Sequence, residues 1–266
     1  NKNTNIDIYN MTAADQGLDV SILAPIQSGG VAIVAEINAD YNTFEELVEY
    51  AKKQEKPILA GYHSAVSSPR IVLEYALKDA GLKVSEDTSD FEADVVMIDL
   101  KGLSNLIPSL SSKQVELWAG PVPHPQNAEA QNIGKIIATL DELPGGKWVD
   151  FPCCTMNVHN DVIRNYPEVV QAMVQVTTDI HNFAQHEREA TADALAEYMG
   201  LDKEILRNNE TTYSTEITDH FKNGMRVYYE AMTGMDKFSG EFSGKEFDEI
   251  IDKVFDFSFR ENLSNN

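Results

Sequence analysis

The sequence predicts an α/β protein with a helical C-terminal third, and three observations carry that expectation. Strand-like apolar runs alternate with helix-period runs from Asp19 to about Val158, the signature of βαβ units and a mainly parallel sheet. Beyond Pro167 the strand signal gives way to apolar residues three and four apart. The 266 residues are 42% hydrophobic, enough to bury a full core, which excludes a disordered chain.

In order along the chain, Asp19–Ile26 and Val31–Ile37 read as buried strands, with Gln27-Ser-Gly-Gly30 as a positive-φ hairpin turn between them. Thr43-Phe-Glu-Glu46 has capping-box spacing and opens an amphipathic helix through Phe44, Leu47, Val48 and Ala51, which Pro57 ends. Pro57–Gly61 is a short strand that runs into Tyr62-His-Ser-Ala-Val-Ser-Ser68. Pro69 then starts a helix, as proline does at a first helical position. Ala93–Ile98 reads as a strand, Leu103–Leu110 as a helix, Gln114–Gly120 as a strand, and Gly134–Ala138 and Cys154–Val158 as two more. Val169, Met173, Val176, Ile180 and Phe183 form a helical stripe, followed by helices over Ala190–Met199, Lys203–Asn208, Ile217–Met232 and Phe247–Phe255. There is no internal repeat and no Gly/Ser tether, so any two-lobed arrangement must share strands across its hinge.

Charge and motif content exclude several functions. The formal net charge of −22 is opposite to the basic stripe that nucleic acid requires, and to a polybasic membrane surface. Apolar runs fall short of the roughly 20 residues needed to cross a bilayer. Residue 1 is an Asn with no basic and apolar leader after it, so a signal peptide or lipid anchor is expected to have been removed. The two cysteines are adjacent, which excludes a disulfide framework and a four-cysteine zinc site. No nucleophile elbow, phosphate loop, dinucleotide fingerprint or zinc-protease motif occurs.

The candidate functional residues sit at strand ends, where open α/β sheets place ligands. Tyr62, His63, Ser64 and Ser67 lie between a strand and a helix N-terminus, a corner suited to an anion or a polar group; Ser67 or Ser68 could equally cap that helix. Gln27, Ser28 and Gly29 let the backbone approach a partner closely. Trp118, Gly120 and His124 lie at another strand end, although a buried tryptophan is more often core. Cys153 and Cys154 admit three readings: packed or substrate-facing thiols, soft metal ligands, or a vicinal disulfide. Alternation along a strand would point their side chains to opposite faces. No pair of histidines has helical ligand spacing, and His181 and His186 read as solvent-facing. The acidic faces of the C-terminal helices read as solvated.

The run Gly61-Tyr-His-Ser…Ser67-Ser-Pro-Arg-Ile-Val-Leu-Glu-Tyr-Ala-Leu-Lys-Asp-Ala-Gly81, the Asp94-Val-Val-Met strand, Val115-Glu-Leu-Trp118 and Gly120-Pro resemble the nitrate/sulfonate/taurine substrate-binding proteins of ABC importers. Tyr166-Pro-Glu-Val-Val170 and Leu195–Gly200 agree, so the resemblance spans roughly residues 17 to 210. It implies a two-lobed periplasmic-binding fold of type 2 with a small polar or anionic ligand in the hinge cleft. Lobe 1 would be residues 1–38 plus 163–266 and lobe 2 residues 39–162. It further implies an extracytoplasmic, membrane-anchored solute receptor with permease partners, no cofactor, no resident metal and no catalysis.

The same resemblance assigns ligand contacts to Gln27, Ser28, Gly29, Tyr62, His63, Ser64, Ser67, Trp118, Gly120 and His124, with Cys153 and Cys154 beside them. The sequence departs from the family in two places. A strand-helix-strand unit that such proteins carry before the segment matching Asp7–Asn10 is absent. Pro152-Cys-Cys-Thr155 is similar to part of the cysteine-rich run of the related thiamine pyrimidine-precursor proteins, some fungal members of which are synthases. The alternatives are therefore a synthase-like enzyme using Cys153 or Cys154 with a metal, and a ligand-sensing module without a transporter.

Overall fold

The structure, a computed structural model, describes residues 7–207 and 211–264. The chain divides into two compact units. Unit 1 comprises Asn1–Gly29, Asp150–Lys203 and Glu210–Asn266, and unit 2 comprises Gly30–Val149 with Glu204–Asn209.

Unit 2 is built on a six-stranded sheet. Its strands are β2 (Val31–Glu36), β3 (Ile58–Tyr62), β4 (Val84–Ser85), β5 (Val95–Asp99), β6 (Leu117–Pro121) and β7 (Gly134–Thr139), in the order β4-β5-β3-β6-β2-β7. β4, β5, β3 and β6 run parallel, whereas β2 is antiparallel to both β6 and β7. The sheet is therefore mixed where the sequence predicts a mainly parallel one. Helices α2 (Phe44–Ala51), α3 (Ser68–Asp79), α4 (Leu106–Ser111) and α5 (His124–Ala130) belong to the same unit. α2 starts as expected: the Thr43 hydroxyl accepts from the Glu46 amide at 3.2 Å, and Phe44, Leu47, Val48 and Ala51 are buried. The expected helix over Leu103–Leu110 begins instead with a 3-10 turn at Leu103–Asn105.

The core under β6 and α4 is made of Val34, Leu100, Leu106, Leu110, Val115, Trp118 and Ala128. Gly61 lets this packing close, because a Cβ there would meet Leu100 Cδ1 at 2.6 Å.

Unit 1 holds a three-stranded antiparallel sheet, β8-β1-β9, from β1 (Val20–Ser28), β8 (Pro152–His159) and β9 (Thr212–Tyr213). The expected hairpin between β1 and β2 does not form. β1 continues through Gln27 and Ser28, which pair with β8 and β9, and the chain leaves for unit 2 through Gly29 and Gly30 at φ of 68° and 72°. β2 joins β6 and β7, so the chain changes unit at Gly29–Gly30 and at Val149–Asp150 rather than near residues 38 and 163.

The helices of unit 1 are α1 (Asp7–Asp15), α6 (Asn160–Asn165), α7 (Pro167–His186), α8 (Arg188–Met199), α10 (Asp219–Gly234), α11 (Phe247–Val254) and α12 (Ser258–Ser264); α9 (Lys203–Arg207) falls at a unit boundary. Asn208, the expected last residue of α9, lies outside the described residues.

α7 is oriented against expectation. Its inward face is Val170, Val174, Thr178 and Ala184, while Val169, Met173, Val176, Ile180 and Phe183 are 49–57% exposed. The inward choice is set by Leu23 of β1, which packs with Val170 and Val174, and by a buried polar chain. In that chain Thr178 donates to the Val174 carbonyl at 2.8 Å, the Thr215 hydroxyl bonds Thr178 at 3.0 Å, and Arg260 Nε donates to Thr215 at 3.0 Å. His181, expected to face solvent, is half-buried: its Nδ1 lies 2.7 Å from the Thr177 carbonyl and its ring meets Tyr213 edge-on.

Candidate functional site

The chemistry of unit 2 collects at the C-terminal ends of its parallel strands. β3 and β5 are in register through Tyr62 and Asp99, so the segments that follow them, His63–Ser67 and Leu100–Gly102, leave from the same sheet edge. β6 is the other neighbour of β3 and delivers α5, which begins at His124.

The loop after β3 is fixed from within. Ser67 occupies the N-cap position of α3 in extended conformation, but its hydroxyl does not cap the helix; it donates to the Ser64 carbonyl at 2.9 Å. Arg70, in the first turn of α3, sends Nη1 to the Ala65 carbonyl at 2.9 Å and lies over the Tyr62 ring, 5.0 Å from its centroid. Its charge is balanced by the buried Glu74 at 3.1 Å and by Glu86. Asp99 and Lys101 close on each other across 2.6 Å. Burial works against the Asp99 carboxylate, yet the Lys101 side-chain and backbone bonds hold its pKa below the ordinary value.

Two imidazoles complete this edge. Burial, reinforced by the neighbouring His124, pushes His63 down to about 4, and burial also lowers His124. Both are neutral at pH 7. His63 Nδ1 is buried without a hydrogen-bond partner, as is Gln126 Oε1 two residues beyond His124. Buried polar atoms are rarely left unpaired, and these two, with the unpaired Arg70 Nε at the end of the same loop, leave this edge with hydrogen-bonding capacity that no protein group among the described residues uses.

Of the residues expected here, the structure brings together Tyr62, His63, Ser64, Ser67 and His124. Trp118 and Gly120 are packing residues instead. Trp118 is wholly buried in the core, and a Cβ on Gly120 would meet Leu106 at 2.8 Å and the Trp118 ring at 3.0 Å. Arg70, Asp99, Lys101 and Gln126 are not among the residues the sequence marks. Arg70 does carry a signal, since a cation in the first turn opposes the helix dipole and requires carboxylate partners.

Gln27, Ser28, Gly29, Cys153 and Cys154 form a second cluster, within unit 1. Gln27 pairs with Cys154 and Ser28 with Pro152; Ser28 Oγ donates to Asp150 at 2.6 Å and the Gly29 amide to the Phe151 carbonyl at 3.0 Å. The two cysteines are free thiols whose sulfurs lie 3.6 Å apart, with Cys153 donating to Cys154. Strict alternation would separate them; the β1–β8 ladder is irregular at Pro25, Gln27 and Ser28, opposite them. The Cys153 bond lowers the Cys154 pKa against the opposing effect of burial. Among the described residues no group of three or more His, Cys, Asp and Glu side chains could hold a metal ion.

The fold is that of the periplasmic binding proteins. A ligand-binding component of an ABC-type import system from Staphylococcus aureus, with zinc bound, superposes with a TM-score of 0.73 at 15% identity, over 97% of this chain and 79% of that one. The periplasmic nitrate-binding protein NrtA from Synechocystis gives 0.74 at 16% identity, over 97% and 70%. A Candida albicans protein described as having the generic periplasmic binding protein fold gives 0.65 at 10% identity, over 94% and 78%. No curated protein matches the chain. The chain belongs to the NMT1-like family, which is matched over residues 8–200.

Proposed function

We propose that this protein is the extracytoplasmic solute-binding component of an ABC importer, that it catalyses no reaction, and that it presents its bound ligand to permease subunits. The observation that carries the reading is the unpartnered, neutral His63 at the strand edge of unit 2, in a family and fold whose solved neighbours include importer binding components. The ligand meets Tyr62, His63, Ser64 and His124, with Ser67 and Arg70 fixing the loop.

The charges at this edge are internally paired: Arg70 with Glu74 and Glu86, Lys101 with Asp99. Two neutral imidazoles add donors and acceptors without positive charge. This favours a small polar ligand held by directed hydrogen bonds, of the thiamine-precursor kind, over a strongly ionised oxyanion. Ligand acts by stabilising whichever conformation it binds best, and that conformation is the one the permease receives. No helix among the described residues is long and apolar enough to cross a membrane.

Native mass spectrometry of freshly purified protein tests the reading. A co-purified small organic ligand that is lost in His63→Ala is the expected result. A stoichiometric transition metal lost in Cys153→Ser or Cys154→Ser would overturn it in favour of an enzyme.

A further inference from the structure

We propose that Cys153 and Cys154 form a reversible vicinal disulfide, which makes the start of β8 a redox modification site with a small exchangeable disulfide as its oxidant. Neighbours on a regular strand point to opposite faces. Here Gln27 pairs with Cys154 and Ser28 with Pro152, so Cys153 has no register partner on β1 and sits in a bulge, the kind of irregularity that re-aims a side chain. The two sulfurs are thereby brought to 3.6 Å, with Cys153 donating to Cys154. The chain has no third cysteine, so this is the one intrachain disulfide open to it. A soft metal ion is the poorer occupant, because among the described residues no third His, Cys, Asp or Glu ligand joins the pair.

The roles of the two thiols follow from burial and from that hydrogen bond. Cys153 is buried, whereas Cys154 is half-buried and accepts the bond, which favours its thiolate. The Cys154 thiolate attacks one sulfur of the oxidant, giving a mixed disulfide and releasing one thiol. Cys153 loses its proton, attacks the Cys154 sulfur and releases the second thiol. Two protein thiols are oxidised and one disulfide is reduced, so atoms and electrons balance. The new bond joins two side chains of one strand and needs no free face for a macromolecule. Its ring is small: consecutive Cα atoms lie about 3.8 Å apart, below the usual disulfide range of about 4.4–6.8 Å, so the bond is strained and readily reduced. It also closes no length of chain, so it adds little constraint to the unfolded state. The pair is therefore built for reversible oxidation and not as a structural staple.

The test is incubation of the intact, reduced chain with cystamine, followed by intact-mass and peptide mass spectrometry. The expected product has lost the mass of two hydrogens, retains no cysteamine and yields one internally bridged peptide that contains both cysteines. Excess cysteamine should restore both thiols. Cys153→Ser should stop at the mixed disulfide, with one cysteamine held on Cys154. Cys154→Ser should take up cysteamine roughly tenfold more slowly, because only the buried sulfur remains to react. Cysteamine retained on both sulfurs of the parent, a covalent dimer, or Cys154→Ser reacting as fast as Cys153→Ser would overturn the proposal. So would a folded chain that stays unreacted while its thiols react in urea.

Discussion

Arg70 reaches back from the first turn of α3 to hold Ala65, donating Nη1 to its carbonyl at 2.9 Å while its guanidinium covers the Tyr62 ring. One buried cation thus ties the end of β3, the loop that carries His63 and Ser64, and the start of the following helix into one piece. The loop therefore does not depend on a side-chain helix cap, and Ser67 is free to lock Ser64 instead.

Replacing Arg70 with Ala should act on stability and binding together. It leaves the buried Glu74 with Lys78 as its remaining cation at 2.8 Å and releases the Ala65 carbonyl. Breaking a buried pair from one side costs about 3–5 kcal/mol. Denaturant titration should show a loss of that order. Arg70→Ala combined with Glu74→Leu should recover part of it, and calorimetry should show ligand affinity still reduced because the loop is not restored.

His63 makes stability fall toward acid. Its folded pKa, about 4, is below the unfolded value of 6.5, so between those limits the unfolded chain takes up a proton that the folded chain refuses. The destabilisation is absent above pH 6.5 and grows as the pH drops to about 4, at no more than roughly 1.4 kcal/mol per pH unit. Moving from pH 7 to 5 should therefore destabilise the protein by up to about 2 kcal/mol more than it destabilises His63→Gln. Ligand affinity should stay level through pH 6.5, where an ordinary histidine titrates; a break there would show that His63 is not a buried neutral group.

Much of this is legible in the sequence, for physical reasons that also mark the limits. Strand and helix periods locate β1–β3, α2 and α3 because side-chain direction is a local property. Which strands pair is not local: Gln27-Ser-Gly-Gly30 has the composition of a hairpin turn, yet its first two residues lengthen β1 and its glycines carry the chain out of that sheet. The stripe on α7 is visible as a stripe, but periodicity does not say which of two adjacent faces a neighbouring Leu23 or Thr215 will select. Among the candidate residues, Tyr62, His63, Ser64, Ser67 and His124 sit where the rule that ligands meet strand ends directs the search. Trp118 and Gly120 come too early on β6 and belong to its packing. Asp99 and Lys101 stand at an equivalent strand end, but pairing β5 with β3 is needed to bring them to the same edge.

Asp15 should be essential to the C-terminal part of unit 1. Its carboxylate, 1% exposed, accepts the backbone amides of Ser239, Gly240 and Phe242 at 2.8–3.2 Å. Asp15→Ala would strand these donors, at about 1–3 kcal/mol for each that finds no water. Gly240→Ala should also be damaging, because the new Cβ would fall 2.1 Å from the Asp15 carbonyl oxygen. Both variants should expose the 238–257 segment to limited proteolysis while ligand affinity per folded molecule stays unchanged.

Trp118 separates packing from recognition. Its ring fills the core beneath β6, yet its indole N–H is buried without a partner. Trp118→Ala removes the ring and should cost about 3–5 kcal/mol. Trp118→Phe keeps most of the apolar volume and removes a donor that was already unpaired, so the desolvation penalty of that donor is relieved and the net loss should be only about 1–2 kcal/mol. Calorimetry of Trp118→Phe should then give an affinity within about twofold of the parent. A drop beyond tenfold at matched stability would mean that the indole N–H reaches the ligand, and would return Trp118 from the core to the binding residues.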